Sequence, residues 1–182
     1  MENHPELFYA DEQIEWNYVE NGAVDTILPT YTANEAVLRE QIALFDEALR
    51  RAYDEIPGGL SVRDTISAVN DWICLHAEYD ESLTKSSSYD LIIEGTGVCK
   101  AYTAVFGIFM DRFGIEWRKL ESEAMNHTWN QVKLGEEWLH VDVTWNDPLP
   151  DEAGRALRDY LLLTDEALAE MPEAHYDWTY WE

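Results

Sequence analysis

Cationic residues are scarce in this chain: 12 Lys and Arg stand against 37 Asp and Glu among 182 residues, a formal net charge of −25 at pH 7. A field of that sign repels phosphate backbones, so nucleic acid is not an expected partner, and it favours cationic substrates or amines. Glycine (9) and proline (6) are also few, while 46% of the residues are hydrophobic. These values exclude collagenous and low-complexity chains and indicate a folded globular protein.

Cysteine is nearly absent too. Cys74 and Cys99 allow at most one disulfide, too few for a disulfide-rich secreted scaffold, and we expect two free thiols. No apolar run approaches the roughly 20 residues needed to cross a bilayer, so membrane insertion is not expected. The start, MENHPELFYADEQ, has neither the basic nor the apolar region of a secretory leader, which by itself does not decide the compartment.

The length predicts one domain, because domains typically contain roughly 100 to 200 residues. We expect a single unit over 1–182, with a hairpin and a helix in 1–60 and the core that bears the candidate chemistry in 61–182. Apolar and polar residues alternate on either side of Asn21-Gly22, a dipeptide that favours tight turns. This pattern predicts the N-terminal hairpin.

Two amphipathic patterns then predict two helices. Thr32 with Glu35 forms a capping box ahead of the first, which Pro57-Gly58-Gly59 ends. Ser61 with Asp64 repeats the capping device, and the apolar face that follows predicts a second helix over residues 62–77.

The second half of the chain changes from helical to strand periodicity. A third helix is predicted to start near Cys99 and to end at Gly114, a natural residue for a left-handed C-terminal position. Beyond it the period of two predicts strands at 115–122, 127–134 and 137–145. Helices followed by an antiparallel sheet indicate an α+β class, with the Cys99 helix packed on the sheet. The tail, 155–182, is predicted to be irregular with one or two short helical turns.

Cys99 is the first candidate for chemistry. A thiol in the first turn of a helix faces unsatisfied backbone N–H groups and the positive end of the helix dipole, which favour the nucleophilic thiolate. Gly97 permits a substrate to approach closely, and the backbone N–H of Cys99 is a candidate oxyanion donor. The alternative is that Cys99 is a small buried residue that fills space.

His127 and Asp142 are predicted to meet across a hairpin. If the loop centres on Leu134-Gly135, the two residues lie directly opposite each other; a two-residue Gly135-Glu136 turn makes Asp142 the diagonal neighbour on the same face. In both registers the carboxylate can orient the imidazole, which would take the thiol proton. The alternative is a His–Asp pair that serves only solubility or core polarity.

His140 is the rival candidate for the base, because alternation places it on the same face as Asp142. It lies two residues from Asp142 on one strand, roughly 6.6 Å away, which is a poor distance for a hydrogen bond. His4, His76 and His175 have no thiol or acidic pattern converging on them, and we interpret them as surface or structural residues.

A metal site is not predicted. Potential zinc ligands exist, but neither CxxC nor HExxH occurs, and no DxDxDG calcium loop is present. The ligands considered are Cys74, His76, Cys99, His127 and His140.

Aromatic residues are abundant and admit a stacking platform for sugars or peptides built from Trp129, Trp138 and Trp145, although core packing explains most of them. We expect the cleft to be lined by Gly97 and four larger side chains. These are Tyr102, Trp129, Trp138 and His140.

Three segments resemble the transglutaminase-like superfamily of cysteine enzymes. GTGVCKAY is similar to its nucleophile motif, NHTWNQV to its histidine block, and EEWLHVDVTWNDP to its aspartate block. The resemblance implies a papain-like core with Cys99 as nucleophile, His127 as general base and acid, and Asp142 as the residue that orients His127.

The resemblance also implies a function: acyl transfer on peptide or glutamine-type amides through a thioester, without a cofactor. Hydrolysis and transamidation both stay open, and we favour an amidase or peptidase because water is abundant. Bacterial relatives with this layout are often secreted or surface proteins. The alternative from another class is a non-catalytic surface module that binds protein or glycan.

Three positions depart from the family pattern. Ala101 stands where the family usually has Gly, Thr128 where Ala is common, and Asn146 where Asp is common. None of them removes a candidate catalytic group. The Ala101 methyl group is expected to tighten helix packing or to narrow the cleft.

Overall fold

A computed structural model describes residues 4–19 and 24–180. Within these ranges the three long helices precede an antiparallel sheet in the chain, with short helices between its later strands, which confirms the predicted α+β class. The helices are α1 (Glu35–Glu55), α2 (Val62–His76), α3 (Cys99–Phe113), α4 (Val143–Asn146) and α5 (Asp165–Ala169), with a π-helical turn at Asp90–Glu94. The strands are β1 (Ala10–Tyr18), β2 (Val24–Tyr31), β3 (Glu78–Tyr79), β4 (Thr96–Gly97), β5 (Trp117–Ser122), β6 (His127–Leu134), β7 (Glu137–Val141), β8 (Leu161–Leu163) and β9 (Thr179–Tyr180).

The N-terminal strands β1 and β2 pair antiparallel, as the alternating pattern predicts. The predicted turn at Asn21-Gly22 lies outside the described residues. A second small sheet joins β3 to β4 in parallel and places Tyr79 beside Gly97. This short pairing was not predicted, because two residues carry no readable periodicity.

The capping prediction is right for α2 and wrong for α1. Ser61 accepts a hydrogen bond from the N–H of Asp64 at 3.2 Å, as predicted. In α1 the side chain of Asn34, not Thr32, accepts from the N–H of Val37 at 3.2 Å. Asn34 directly precedes the first helical residue, so its side-chain oxygen is the one that reaches the free N–H groups.

Helix α3 runs between the predicted limits, from Cys99 to the left-handed residue Gly114 (φ +66°). It packs on the sheet so closely that a Cβ at Gly107 would lie 2.4 Å from the Trp117 ring. Apolar residues of α2, α3 and the inner face of the sheet form the main core, so α3 lies between α2 and the sheet.

The main sheet has five antiparallel strands in the order β8-β7-β6-β5-β9. Strand β6 has the predicted limits, whereas β7 ends at Val141 instead of residue 145. The chain turns there because Asp142 caps α4 and accepts from the N–H of Trp145 at 3.1 Å. The prediction of an irregular tail is wrong in part, since β8 and β9 form the two edges of the sheet.

The register of β6 and β7 follows the second of the two predicted hairpins. Leu134 pairs with Glu137 and Asn130 with Val141, around a two-residue turn in which Gly135 has φ +68°. Among the described residues, no helix combines the length and the apolar character needed to cross a membrane.

Candidate active site

Cys99 is the first residue of α3 and remains partly exposed. Val98 precedes it in an extended conformation, and the Val98 carbonyl accepts the N–H groups of Ala101 and Tyr102. The N–H of Cys99 comes before these bonds, where a helix offers it no acceptor. The sulfur and this N–H therefore share the open end of the helix.

His127 begins β6, and Asp142 follows the last residue of β7. Their facing atoms, Nε2 and Oδ2, lie 2.6 Å apart in a buried environment. The other carboxylate oxygen accepts the N–H of Trp145. Because Nε2 is engaged by Asp142, Nδ1 is the ring nitrogen that is left for the thiol.

Two hydrogen bonds between α3 and β6 bring Cys99 to His127. The Thr103 hydroxyl donates to the carbonyl of Thr128 at 3.0 Å, and the Asn130 amide donates to the carbonyl of Thr103 at 3.2 Å. Thr103 lies one helical turn after Cys99, so these bonds fix the position of the start of α3 along β6. Sequence periodicity alone could not supply this alignment.

The charges of the three groups support one another. Burial alone would raise the pKa of Cys99, but the hydrogen bond and charge of His127 outweigh it and hold that pKa below its usual value. Burial likewise opposes charge on His127, yet the neighbouring carboxylate raises the pKa of His127 to about 9. The pKa of Asp142, despite burial, is lowered to about 2 by the imidazolium of His127. These shifts favour the charged form of each group: thiolate for Cys99, imidazolium for His127 and carboxylate for Asp142.

Two indole rings enclose the His127 imidazole. Trp129 lies on one side with ring centroids 5.6 Å apart and planes within 15° of parallel, and Trp145 stacks at 5.2 Å and 23°. Aromatic faces are electron-rich, so this arrangement favours the imidazolium and also excludes water.

His140, the predicted rival base, has both ring nitrogens engaged elsewhere. Its Nδ1 accepts the indole N–H of Trp129 at 2.9 Å, and its Nε2 lies 3.0 Å from Asp165. Burial lowers the pKa of His140, which suits a neutral ring in this place. The residue supports Trp129 from behind rather than facing Cys99.

The other residues predicted to line the cleft are placed as follows. Gly97 is buried, and a Cβ there would lie 2.6 Å from the Cβ of Ala101. Tyr102 is fully buried and donates its hydroxyl to Asp147. Trp138 lies under the guanidinium of Arg118, whose centre is 4.3 Å from the indole centroid.

The structure adds two residues that sequence reasoning missed. His175, interpreted as surface or structural, is buried with its Nε2 2.7 Å from Oδ2 of Asp142. Tyr79 lies beside Gly97, and burial together with the negative charge of Cys99 raises its pKa. Neither has a local sequence signal, although a histidine within an aromatic-rich tail, HYDWTYW, could have prompted attention.

His127, Asp142 and His175 also form the one group among the described residues whose ligand atoms cluster tightly enough to hold a metal ion, within 4.8 Å of one another. The zinc ligands considered from the sequence included His127 but neither Asp142 nor His175. The separations of 2.6 and 2.7 Å are hydrogen-bond distances, so the protons already link these atoms.

A cavity of about 590 Å³ is lined in part by sequence neighbours of Cys99 and His127. Lys100 and Thr128, which follow Cys99 and His127 in sequence, line one part of it, and Pro5 and Phe8 line another. The Ser88 hydroxyl donates to the Pro5 carbonyl at 2.6 Å, which fastens the N-terminal segment to another part of the wall of this cavity.

The three departures from the family pattern have structural roles. Ala101 is fully buried, so its methyl group tightens packing against Gly97 and does not face solvent. The Thr128 hydroxyl donates to the Leu120 carbonyl at 2.6 Å. Asn146 is buried, donates to the side chain of Asn70 at 2.8 Å and accepts the N–H of Tyr160 at 2.9 Å. An aspartate would lack the donor that Asn70 receives.

Comparison with known proteins gives a family match and two structural likenesses. Residues 50–143, just over half of the chain, match the model of the transglutaminase-like superfamily. A transglutaminase (TGase) crystal structure aligns with a TM-score of 0.49 and 14% identity over 62% of this chain and 34% of that one. A candidate cysteine protease from Cytophaga hutchinsonii aligns with a TM-score of 0.47 and 18% identity over 82% and 69%. The chain thus spans about a third of the length of the TGase. A search of the curated proteins found no match.

Proposed function

Because this chain belongs to the transglutaminase-like superfamily, we propose that it is a cysteine-dependent acyl-transfer enzyme that acts on peptide or glutamine-type amides. One observation carries the proposal: a partly exposed thiol at a helix start lies beside an imidazole whose far nitrogen is held by a buried carboxylate. Nucleophile, base and orienting acid are the parts that covalent acyl transfer requires.

In the proposed reaction the Cys99 thiolate attacks the amide carbon. The carbon–nitrogen bond breaks as the His127 imidazolium gives its Nδ1 proton to the departing amine, and a thioester remains. His127, now neutral, removes a proton from water or from a second amine, which attacks the thioester and releases the thiolate. Asp142 holds the imidazole in place through both steps.

The negative oxygen that forms in each step needs hydrogen-bond donors. We assign the first to the backbone N–H of Cys99, at the open end of α3. We assign the second to the hydroxyl of Tyr79. The pairing of β3 with β4 holds Tyr79 beside Gly97, which lies two residues before Cys99, and the pKa of Tyr79 responds to the thiolate charge. A raised pKa keeps the phenol protonated and able to donate.

We place the acyl donor in the cavity bordered by Lys100 and Thr128. The N-terminal residues that line this cavity precede residue 50, where the family match begins. Substrate choice is thus expected to depend on residues outside the family core. Whether water or an amine resolves the thioester depends on the room left beside Cys99.

The test compares wild type with Cys99→Ala and, as the matched control, Cys74→Ala. Each protein is incubated with a protein mixture, with and without a primary amine probe, and released ammonia, new peptide ends and incorporated probe are measured. Wild type and Cys74→Ala should give one of these products, and Cys99→Ala none. Equal signals from wild type and Cys99→Ala would overturn the proposal.

A further inference from the structure

The carboxylate of Asp142 is shared by two histidines. His127 and His175 each bring Nε2 to the same oxygen, Oδ2, at 2.6 and 2.7 Å. His175 lies 33 residues from Asp142 in sequence, and only 2% of its surface is exposed to solvent. The function proposed above uses His127 and leaves the second histidine without a role.

We propose that His175 is a positioning residue, which donates its Nε2–H to Asp142 and holds the carboxylate in the orientation that His127 requires. This inference rests on the function proposed above and adds a fourth side chain to that site.

The hydrogen bonds around Asp142 leave its carboxylate no freedom to turn. Oδ2 faces the two imidazoles, while Oδ1 accepts the N–H of Trp145. Rotation of the carboxylate would break contacts on both oxygens in a buried environment, where unmade hydrogen bonds are costly. Without His175, the side of Oδ2 away from His127 would lose its donor.

The position of the proton on His175 follows from its partners. An ionised carboxylate only accepts, so Nε2 of His175 must carry the hydrogen. Its Nδ1 is buried and has no hydrogen-bond partner among the described residues. A bare lone pair at that place costs less than an N–H without an acceptor, so the neutral Nε2–H tautomer fits. His175 therefore orients Asp142 without adding a charge that competes with His127.

Rigid neighbours hold the His175 ring. Its centroid lies 4.2 Å from that of Trp145 and 4.5 Å from that of Trp129, the same two indoles that enclose His127. Tyr160 packs on it as well, with ring centroids 5.5 Å apart. The titratable groups that face or interact with His175 are Asp142, His127, Tyr160 and His140. The C-terminal segment therefore brings a fixed donor into the site.

The experiment measures the alkylation rate of Cys99 by iodoacetamide against pH in His175→Gln and His175→Phe. Gln can bring an amide N–H close to the position of Nε2, whereas Phe fills the space without a donor. We expect His175→Phe to lower the alkylation rate at pH 6 by about tenfold. The pH at which the rate rises with thiolate formation should increase by about one unit in this variant, whereas the rate of His175→Gln should stay within about threefold of wild type. Equal rates in wild type and His175→Phe would overturn the inference.

Two further measurements keep the outcome clear. If either variant fails to fold, the nitrogen-15 NMR spectrum of the wild-type imidazoles decides: a hydrogen on Nε2 of His175 and a bare Nδ1 support the inference, and the opposite tautomer overturns it. His127→Ala separates the two proposals. An unchanged Cys99 rate in His127→Ala would defeat the proposed function, whereas a fall in His127→Ala with none in His175→Phe would defeat only the role of His175.

Discussion

The two cysteines lie on neighbouring helices and have opposite surroundings. Cys74, near the end of α2, is 3% exposed and donates its thiol to the carbonyl of Val143 at 3.7 Å. Burial, with the nearby carboxylates Asp147 and Asp71, raises the pKa of Cys74. Cys99 starts α3, is partly exposed and has its pKa lowered by His127.

The comparison shows that surroundings, rather than residue type, set the chemistry of a thiol. Burial disfavours the thiolate at both cysteines, since it raises the pKa of each thiol. Only Cys99 has a cation against it and an open helix end beside it.

In the wild-type protein, iodoacetamide should alkylate Cys99 at least about 1,000-fold faster than Cys74 at pH 7, because Cys74 is both protonated and shielded from solvent. Mass spectrometry of the two peptides over time gives both rates from one sample. Alkylation of Cys74 should approach that of a free thiol only in denaturant. Similar slow rates at both sites in the folded protein would point to a non-catalytic binding module.

Removal of the cation should make Cys99 resemble Cys74. In His127→Ala we expect the alkylation rate of Cys99 at pH 6 to fall by about 100-fold, since the thiolate loses its imidazolium partner. His76→Ala, which removes an exposed histidine at the end of α2, is the matched control and should react like wild type. The prediction fails if both variants react alike.

The pH profile of wild type should show the ion pair directly. The alkylation rate of Cys99 should begin to rise below the usual thiol pKa, as the thiolate forms. A second change in the rate should follow near pH 9, where His127 loses its proton. The raised pKa of His127 stabilises the fold fully below its unfolded value of 6.5, and this contribution is lost as pH rises through about 9.

Asp142→Asn should have a smaller effect on Cys99, about tenfold on the rate at pH 6, because the amide keeps the shape of the site but removes the charge that favours imidazolium. The second change in the profile should then move from about 9 toward 6.5. Alkylation reactions quenched at fixed times, at closely spaced pH values, measure both the rate at pH 6 and the pH of the second change. Asp151→Asn, at an exposed carboxylate, is the control. A second change that stays near 9 would contradict this account.

The smallest effect concerns the surroundings of Cys74. Burial raises the pKa of Asp147 to about 7 even though the Tyr102 hydroxyl donates to it. An acid with a raised folded pKa loses stability as pH rises from its unfolded value of 3.8 to about 7. Asp147→Asn should therefore stabilise the protein at pH 8 by about 1 kcal/mol, a value reduced for partial solvation of the group.

Urea unfolding of Asp147→Asn and wild type at pH 5.5 and pH 8 measures this effect. The gain should be larger at pH 8, where the wild-type carboxylate is charged in both states, than at pH 5.5. Glu136→Gln, at an exposed carboxylate in the turn between β6 and β7, should show no such change between the two pH values. A stabilisation independent of pH would indicate that packing, and not ionisation, is responsible.

Local signals in the sequence were sufficient for much of the fold, including the elements that position Cys99, His127 and Asp142. The cap at Ser61, the stop at Gly114 and the period-two run of β6 depend on neighbours within a few residues, and each is confirmed. The capping prediction for α1 was wrong at Thr32, because Asn34 competes for the same N–H groups and lies closer to them. Strand β7 ended early because the capping bond of Asp142 opposed the alternating pattern.

Caps, turns and periodicity act over short spans. These local signals are enough to give the order of the elements and to put Cys99 at a helix start, His127 at a strand start and Asp142 just past the adjoining strand. The packing of distant segments is what makes the tail form both edges of the sheet and brings His175 to Asp142. Contacts between residues far apart in the chain depend on how packed layers meet, and no short stretch of sequence contains that information.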